Sequence, residues 1–238
     1  EEILGRFLPG VPREQIVLAS KVYFPFGSGP NTAGLSRKRV LASCEASLKR
    51  LRTDYLDCYY IHGPDPVTPY EETLRALDDL VRQGKVRYLG CSNLFAWQMV
   101  KAAGTAARLG LTGFVAGQFL YNLIHREPER ELLPAAADQG IGLVAYAPLG
   151  AGLLTGKYAG MAEPPKASRF ELRKTIDGGR FWHPRGLQIA QSLEAVSREC
   201  GIPMAKLALA WPLRRKAVAA VVVGVKSVEQ LKANLEVG

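Results

Sequence analysis

The stretch Asp54-Tyr-Leu-Asp-Cys-Tyr-Tyr-Ile-His-Gly-Pro-Asp65 decides how the chain is read. It is an apolar, aromatic run of strand type that stops on His62 and is broken at once by Gly63 and Pro64. A lone histidine at a loop edge is an ordinary residue. A histidine at the C-terminal end of a strand in a parallel α/β sheet stands where such sheets carry their chemistry. The flanking sequence decides between the two.

Upstream, residues 16–21 form a short apolar run, and Ser36 opens a helix with Val40, Cys44, Leu48 and Leu51 on one face. Downstream, Thr68-Pro69-Tyr70-Glu71 predicts a capping box with proline at the first helical position. That helix carries Leu74, Leu77 and Val81 and stops near Gly84. The alternation continues with a strand over 86–93, a helix over 96–108, a strand over 114–122, a helix over 128–139 and a strand over 141–147. A segment rich in glycine, proline and charge fills 150–184. Helices over 187–199 and 204–215, a strand over 217–223 and a helix from Ser227 complete the chain. Residues 1–8 read as the inside of an amphipathic helix, with Ile3, Leu4, Phe7 and Leu8 apolar.

Strand starts recur about every 30 residues, the length of a βα unit whose helix crosses back over a parallel sheet. The strands are apolar on both faces, as a sheet covered by helices requires. A doubly wound sheet and a barrel both satisfy this pattern. Lys21, His62, Ser92, Asn93, Gln118 and Tyr146 all fall at or near strand C-termini, which favours the barrel. The expected fold class is α/β, a (β/α)8 TIM barrel. Six units against eight predict a single domain over 1–238 that lacks two units.

Composition narrows the function. The 238 residues are 47% hydrophobic and 22% charged, with a net charge of +9, which favours anionic partners. The densest basic cluster, Arg37-Lys38-Arg39 with Lys49, Arg50 and Arg52, lacks interleaved aromatics and reads as a solvated helix face, not a nucleic-acid surface. No apolar run reaches the roughly 18 residues that span a bilayer, and no segment reads as a signal peptide. Cys44, Cys58, Cys91 and Cys200 form no Cys-x-x-Cys pair. Buried thiols in a reducing, cytoplasmic compartment fit best.

The blocks "EEILGRFL", "IVLASKV", "SLKRLRTDYLDCYYIHGPD", "LVRQGKVRYLGCSN", "AYAPLGAGLLTGKY" and "VVVGVKSVEQLKANL" together resemble the aldo-keto reductase superfamily, in particular its branch of Tas-like reductases and potassium-channel β-subunits. The resemblance runs in order along nearly the whole chain. It implies a barrel that binds NADPH across its C-terminal mouth and passes a hydride to an aldehyde or ketone. It implies too that the first two strands and the first helix are the ones missing, leaving the third to eighth units. Lys21 resembles the family's lysine and His62 its histidine. A cation beside a phenol eases proton release, and an imidazole can orient a carbonyl oxygen. The family's Asp and Tyr belong to a segment just before "EEILG", so the tyrosine proton donor is expected upstream of residue 1. Tyr60 and Tyr23 are poor substitutes: alternation puts Tyr60 one layer deeper, and Tyr23 lies in a loop.

The resemblance also implies the nucleotide contacts. Ser92, Asn93 and Gln118 resemble the residues that hold the carboxamide, and Tyr146 the aromatic that stacks on the nicotinamide. Pro148, Leu149, Gly150, Gly152 and Lys157 resemble the cover of the pyrophosphate, and Arg169 adds a second positive charge. This run only imitates two other motifs. Ala151 and Tyr158 break a Walker loop, and the third glycine of a G-x-G-x-x-G comes one residue late at Gly156. Gly224 and Lys226 open the last helix, where Lys226 resembles the residue that meets the 2′-phosphate and so favours NADPH over NADH. Gln230 and Asn234 resemble the adenine contacts. The expected partners are a small-molecule carbonyl substrate and NADPH/NADP+, with no nucleic acid, no membrane insertion and no metal. A homo-oligomer is compatible with all of this. Residues 150–184 are expected to fold over the cofactor. An alternative within the same fold is an NADPH-binding regulatory subunit with little or no turnover.

Overall fold

The computed structural model describes residues 1–237. They fall into two compact units, residues 1–118 with 135–142, and residues 119–134 with 143 onward.

The first unit runs α1 (Glu2–Phe7), β1 (Ala19–Val22), α2 (Arg37–Leu51), β2 (Leu56–Ile61), α3 (Tyr70–Arg82), β3 (Val86–Ser92), α4 (Ala96–Leu109) and β4 (Phe114–Leu120, to its fifth residue). β1–β2, β2–β3 and β3–β4 are parallel neighbours in chain order. α2 starts where the Ser36 hydroxyl accepts from the Arg39 N–H, and it ends at Arg52 in the left-handed conformation. It buries Val40, Cys44, Leu48 and Leu51, the face its spacing predicts. α3 buries Leu74, Ala76, Leu77 and Leu80. Each such leucine contributes about 1.5–3 kcal/mol of hydrophobic stabilisation. The second unit contains β5 (Gly142–Tyr146, from its second residue), α6 (Arg169–Leu172), α7 (Gly179–Phe181), α8 (Pro184–Cys200), α9 (Met204–Leu213), β6 (Val218–Val222) and α10 (Val228–Leu235); α5 (Leu132–Asp138) joins the units in sequence. β5 and β6 are again parallel. Ile124, Leu153, Leu154, Tyr158, Phe170, Phe181, Leu193, Met204 and Ala208 form a core of the second unit. Parallel strands alternating with helices in chain order are the α/β pattern of the (β/α)8 barrel class, as the sequence predicts.

Several local expectations are corrected. Thr68 does not cap α3. Its hydroxyl donates to Asp65 at 2.8 Å, Pro69 takes the N-cap position and the helix begins at Tyr70. β1 begins at Ala19, not residue 16, because the Leu18 N–H is taken by the Asp57 carboxylate at 2.7 Å. The helix expected over 128–139 breaks into a 3-10 turn, Glu127–Glu129, and α5. Glu129 is held there by Tyr121, Arg126 and Arg215. α8 starts three residues early, at Pro184, since the His183 ring nitrogen Nδ1 accepts from Gly186 N–H at 3.1 Å. Only Val218 is buried in β6, so burial on both faces describes β2 and not β6.

Candidate active site

Lys21 stands opposite Tyr60 in the β1–β2 ladder. The His62 N–H donates to the Val22 carbonyl at 2.8 Å, which adds one more bond beyond the end of β2. Alternation puts His62 on the same strand face as Tyr60, hence on the face that carries Lys21. Gly90 of β3 makes room beneath them: a Cβ there would lie 2.4 Å from the Tyr60 ring. One edge of the ring therefore packs closely over the Gly90 backbone, and the Lys21 ammonium sits 5.9 Å from its centroid. Phe24 meets the His62 ring edge-on at 4.8 Å, and Tyr23 meets Phe24 at 5.2 Å.

This packing sets the charges. Burial first, and then the Lys21 charge, hold the His62 imidazole below the ordinary histidine value. Burial also lowers Lys21 from the usual lysine value. The result is a neutral imidazole beside a partly desolvated ammonium. Burial pushes the Tyr60 phenol well up, so Tyr60 holds its proton and is a poor acid, as its deeper layer predicts. Burial pushes Cys58 up to about 11, and Cys44 and Cys91 up to about 12, so these thiols stay protonated at neutral pH.

Ser92, Asn93 and Gln118 gather at the ends of β3 and β4. The Ser92 hydroxyl, fully buried, donates to the Gln118 carbonyl at 2.7 Å. Asn93, with a left-handed φ of 57°, donates its amide to the His62 carbonyl at 2.9 Å and to Ser92 Oγ at 3.1 Å. These bonds staple three strand ends together and fix the peptide that carries His62.

In the second unit, Tyr146 pairs with Val222 in the β5–β6 register, which puts Gly224 and Lys226 just beyond the same end. Pro148 is buried and Leu149 half-buried. Gly150 and Gly152 have φ of +55° and +102°, conformations that favour glycine. A Cβ on Gly152 would lie 2.7 Å from the Lys157 ammonium, so that side chain lies directly over the glycine backbone. Ser227 caps α10 by accepting from Gln230 N–H, and the Gln230 side-chain carbonyl accepts from Lys226 N–H at 2.9 Å. Gln230 thus serves the cap through its oxygen. Arg169 is exposed and bonded to Asp177, Gly224 is exposed, and Asn234 lies half-buried on α10. Among the described residues no group of His, Cys, Asp and Glu could hold a metal ion, and no helix is long and apolar enough to cross a membrane.

Two organising residues are not evident from sequence. Asp65 accepts from Leu35 N–H, Val67 N–H and Thr68, and so shapes the loop that follows His62. The hint was its place three residues after the histidine. Asn122 is fully buried. Its oxygen accepts from Ile124 and His125 N–H, and its amide donates to the Ala147 carbonyl at 2.8 Å. It thereby ties the turn after β4 to the residue that follows Tyr146. No local pattern marks it.

The chain is 38% identical to a "Probable voltage-gated potassium channel subunit beta" of Arabidopsis thaliana, over 99% of this chain and 73% of that protein. It is 38% identical to an "Uncharacterized oxidoreductase YrpG" of Bacillus subtilis, over 98% of this chain and 70% of that one. It is 37% identical to an "Aldo-keto reductase AMT2" of Alternaria alternata, over 97% and 68%. The family model described as the Aldo/keto reductase family matches residues 1–238, and the chain belongs to that family.

Proposed function

We propose that the protein is an NADPH-dependent oxidoreductase that reduces an aldehyde or ketone to an alcohol. The observation that carries this reading is the Lys21–His62 pair: two nitrogen side chains on one face of adjacent strands, the imidazole neutral because of burial and the neighbouring ammonium. A neutral imidazole can donate a hydrogen bond to a carbonyl oxygen, and the ammonium favours the negative charge that develops there. When bound, NADPH supplies the hydride. In this reading Lys21 and His62 stabilise and orient the oxygen. The proton donor in this reading is the tyrosine of the family's pattern, not Tyr60 or Tyr23.

The second unit's loop supports a nucleotide. A lysine folded over a glycine-floored turn at 150–157 offers a backbone cradle for a diphosphate, and the capped end of α10 presents N–H groups and Lys226. Ser92, Asn93 and Gln118 are assigned to the carboxamide, and Tyr146 to the nicotinamide ring. Pro148, Leu149, Gly150, Gly152, Lys157 and Arg169 are assigned to the pyrophosphate region. Gly224, Lys226, Gln230 and Asn234 are assigned to the adenosine end. Residues 150–184 are its cover, within one domain over 1–238, and the working compartment is the cytoplasm.

The test is NADPH oxidation by the full native chain with aromatic and aliphatic aldehydes, beside the His62→Gln variant. The expected result is saturable turnover that falls about 10²-fold or more in the variant, with NADP+ affinity retained. Bound NADPH that no reactive carbonyl oxidises would overturn the reading. It would favour a second one, a nucleotide-binding regulatory subunit, which the similarity to proteins named as potassium-channel β-subunits supports.

A further inference from the structure

The segment after Ser168 carries a spacing that the reading above does not use: Arg169, Arg173 and Asp177 recur every fourth residue. Residues eight apart in an unbroken α-helix have Cα atoms about 12 Å apart. Here α6 ends at Arg173 (φ −124°, ψ 44°), and the π-helical turn Lys174–Gly178 folds the chain back. Asp177, only 3% exposed, is thereby brought onto both arginines. Its Oδ2 accepts from Arg169 Nε at 2.7 Å, and Arg173 Nε lies 3.4 Å from the same oxygen.

The mode of contact matters more than the contact. Both guanidiniums meet the carboxylate by their Nε edges and are half exposed. The terminal amino groups of both arginines have no hydrogen-bond acceptor among the described residues. Two guanidiniums this close repel each other. One buried carboxylate offsets that repulsion, hydrogen-bonded to Arg169 and at ion-pair distance from Arg173, leaving four N–H-bearing nitrogens and a net positive charge at the surface. Paired, pre-oriented guanidinium forks match phosphate oxygens.

We propose that Arg173 joins Arg169 as a phosphate-binding residue for the dinucleotide, and that Asp177 is the positioning residue that aims both. This rests on the nucleotide assignment of Arg169 made above. The ligand chemistry is a nucleotide phosphate, and its source is the bridging diphosphate or the adenosine 2′-phosphate.

Dissociation constants for NADP+ and NAD+, measured by calorimetry on the full native chain, test it. Arg173→Met is expected to weaken NADP+ about tenfold. An equal loss for NAD+ assigns the diphosphate, and a loss for NADP+ alone assigns the 2′-phosphate. Asp177→Asn is expected to weaken NADP+ by a similar factor, with Asp177→Glu restoring part of it. In the Arg169→Met/Arg173→Met background, Asp177→Asn should have no further effect on affinity, whereas a purely structural role would lower it in both backgrounds. If the unaltered protein binds NADP+ but Arg173→Met leaves both constants unchanged, this inference is overturned and the function is not. If the unaltered protein binds neither nucleotide, the functional reading fails and this inference with it.

Discussion

Lys21 bears on His62: burial first, and then the ammonium on β1, hold down the basicity of the imidazole just past β2, while the Tyr60 ring lies beneath the ammonium, 5.9 Å from it. The histidine enters the neutral pH range uncharged for that reason, and its N–H is available to a substrate oxygen. The pair works only if both strands hold their register, which the His62–Val22 and Asn93–His62 bonds enforce.

Stability should therefore depend on pH on the acid side. His62 and His125 both have folded values below the ordinary 6.5, each chiefly through burial. The unfolded chain then binds more protons than the folded one just below that pH, so stability is full above about 6.5 and falls as pH drops through it. Denaturant midpoints between pH 5 and 8 should show this decline, and His62→Gln should flatten part of it.

Gly152→Ala separates backbone strain from cofactor binding. The backbone conformation at φ +102° costs an alanine about 1–3 kcal/mol. The new Cβ collides with the flexible end of Lys157, which can move away. Melting should thus shift by only a few degrees, while NADP+ affinity falls about tenfold. Lys157→Ala should reproduce the loss of affinity without the melting shift.

Asn122→Ala should be the costliest single change in the second unit. It leaves one buried and one partly buried N–H group and the Ala147 carbonyl without their partner, a loss of about 2–4 kcal/mol in a denaturant series. Asn122→Asp should be no better, because it removes the donor and sets a carboxylate against that carbonyl.

Lys226→Ser should lower the preference for NADPH over NADH by about tenfold or more, read as the ratio of the two dissociation constants. The α10 cap does not use the lysine side chain, since Gln230 accepts from the Lys226 backbone. Helicity and melting should stay as they are.

The regular parts of this fold were legible because periodicity is local. The Val40, Cys44, Leu48 and Leu51 stripe of α2 and the apolar run of β2 can be read without knowing any partner. The misread places are those where a distant side chain outcompetes the local signal. Asp57 takes the Leu18 N–H across 39 residues and delays β1, and Asp65 takes the hydroxyl that would have capped α3. Glu129 is claimed by Arg215 from 86 residues away, and the helix around it breaks. The same reason hides part of the site. Lys21 and His62 were visible at strand ends. Asn122 holds its own turn locally but gains its long-range tie only from Ala147, 25 residues on, and Asp177 meets the arginines only through a fold-back that the spacing Arg169, Arg173, Asp177 does not by itself reveal.

The most direct test is an NMR titration of the His62 ring in the unaltered protein and in Lys21→Met. A shared site predicts an apparent pKa below 6.5 in the first and a rise toward 6.5 in the second, because the charge is gone while burial remains. An imidazole that titrates at or above the ordinary value, or one indifferent to the loss of Lys21, would contradict the account.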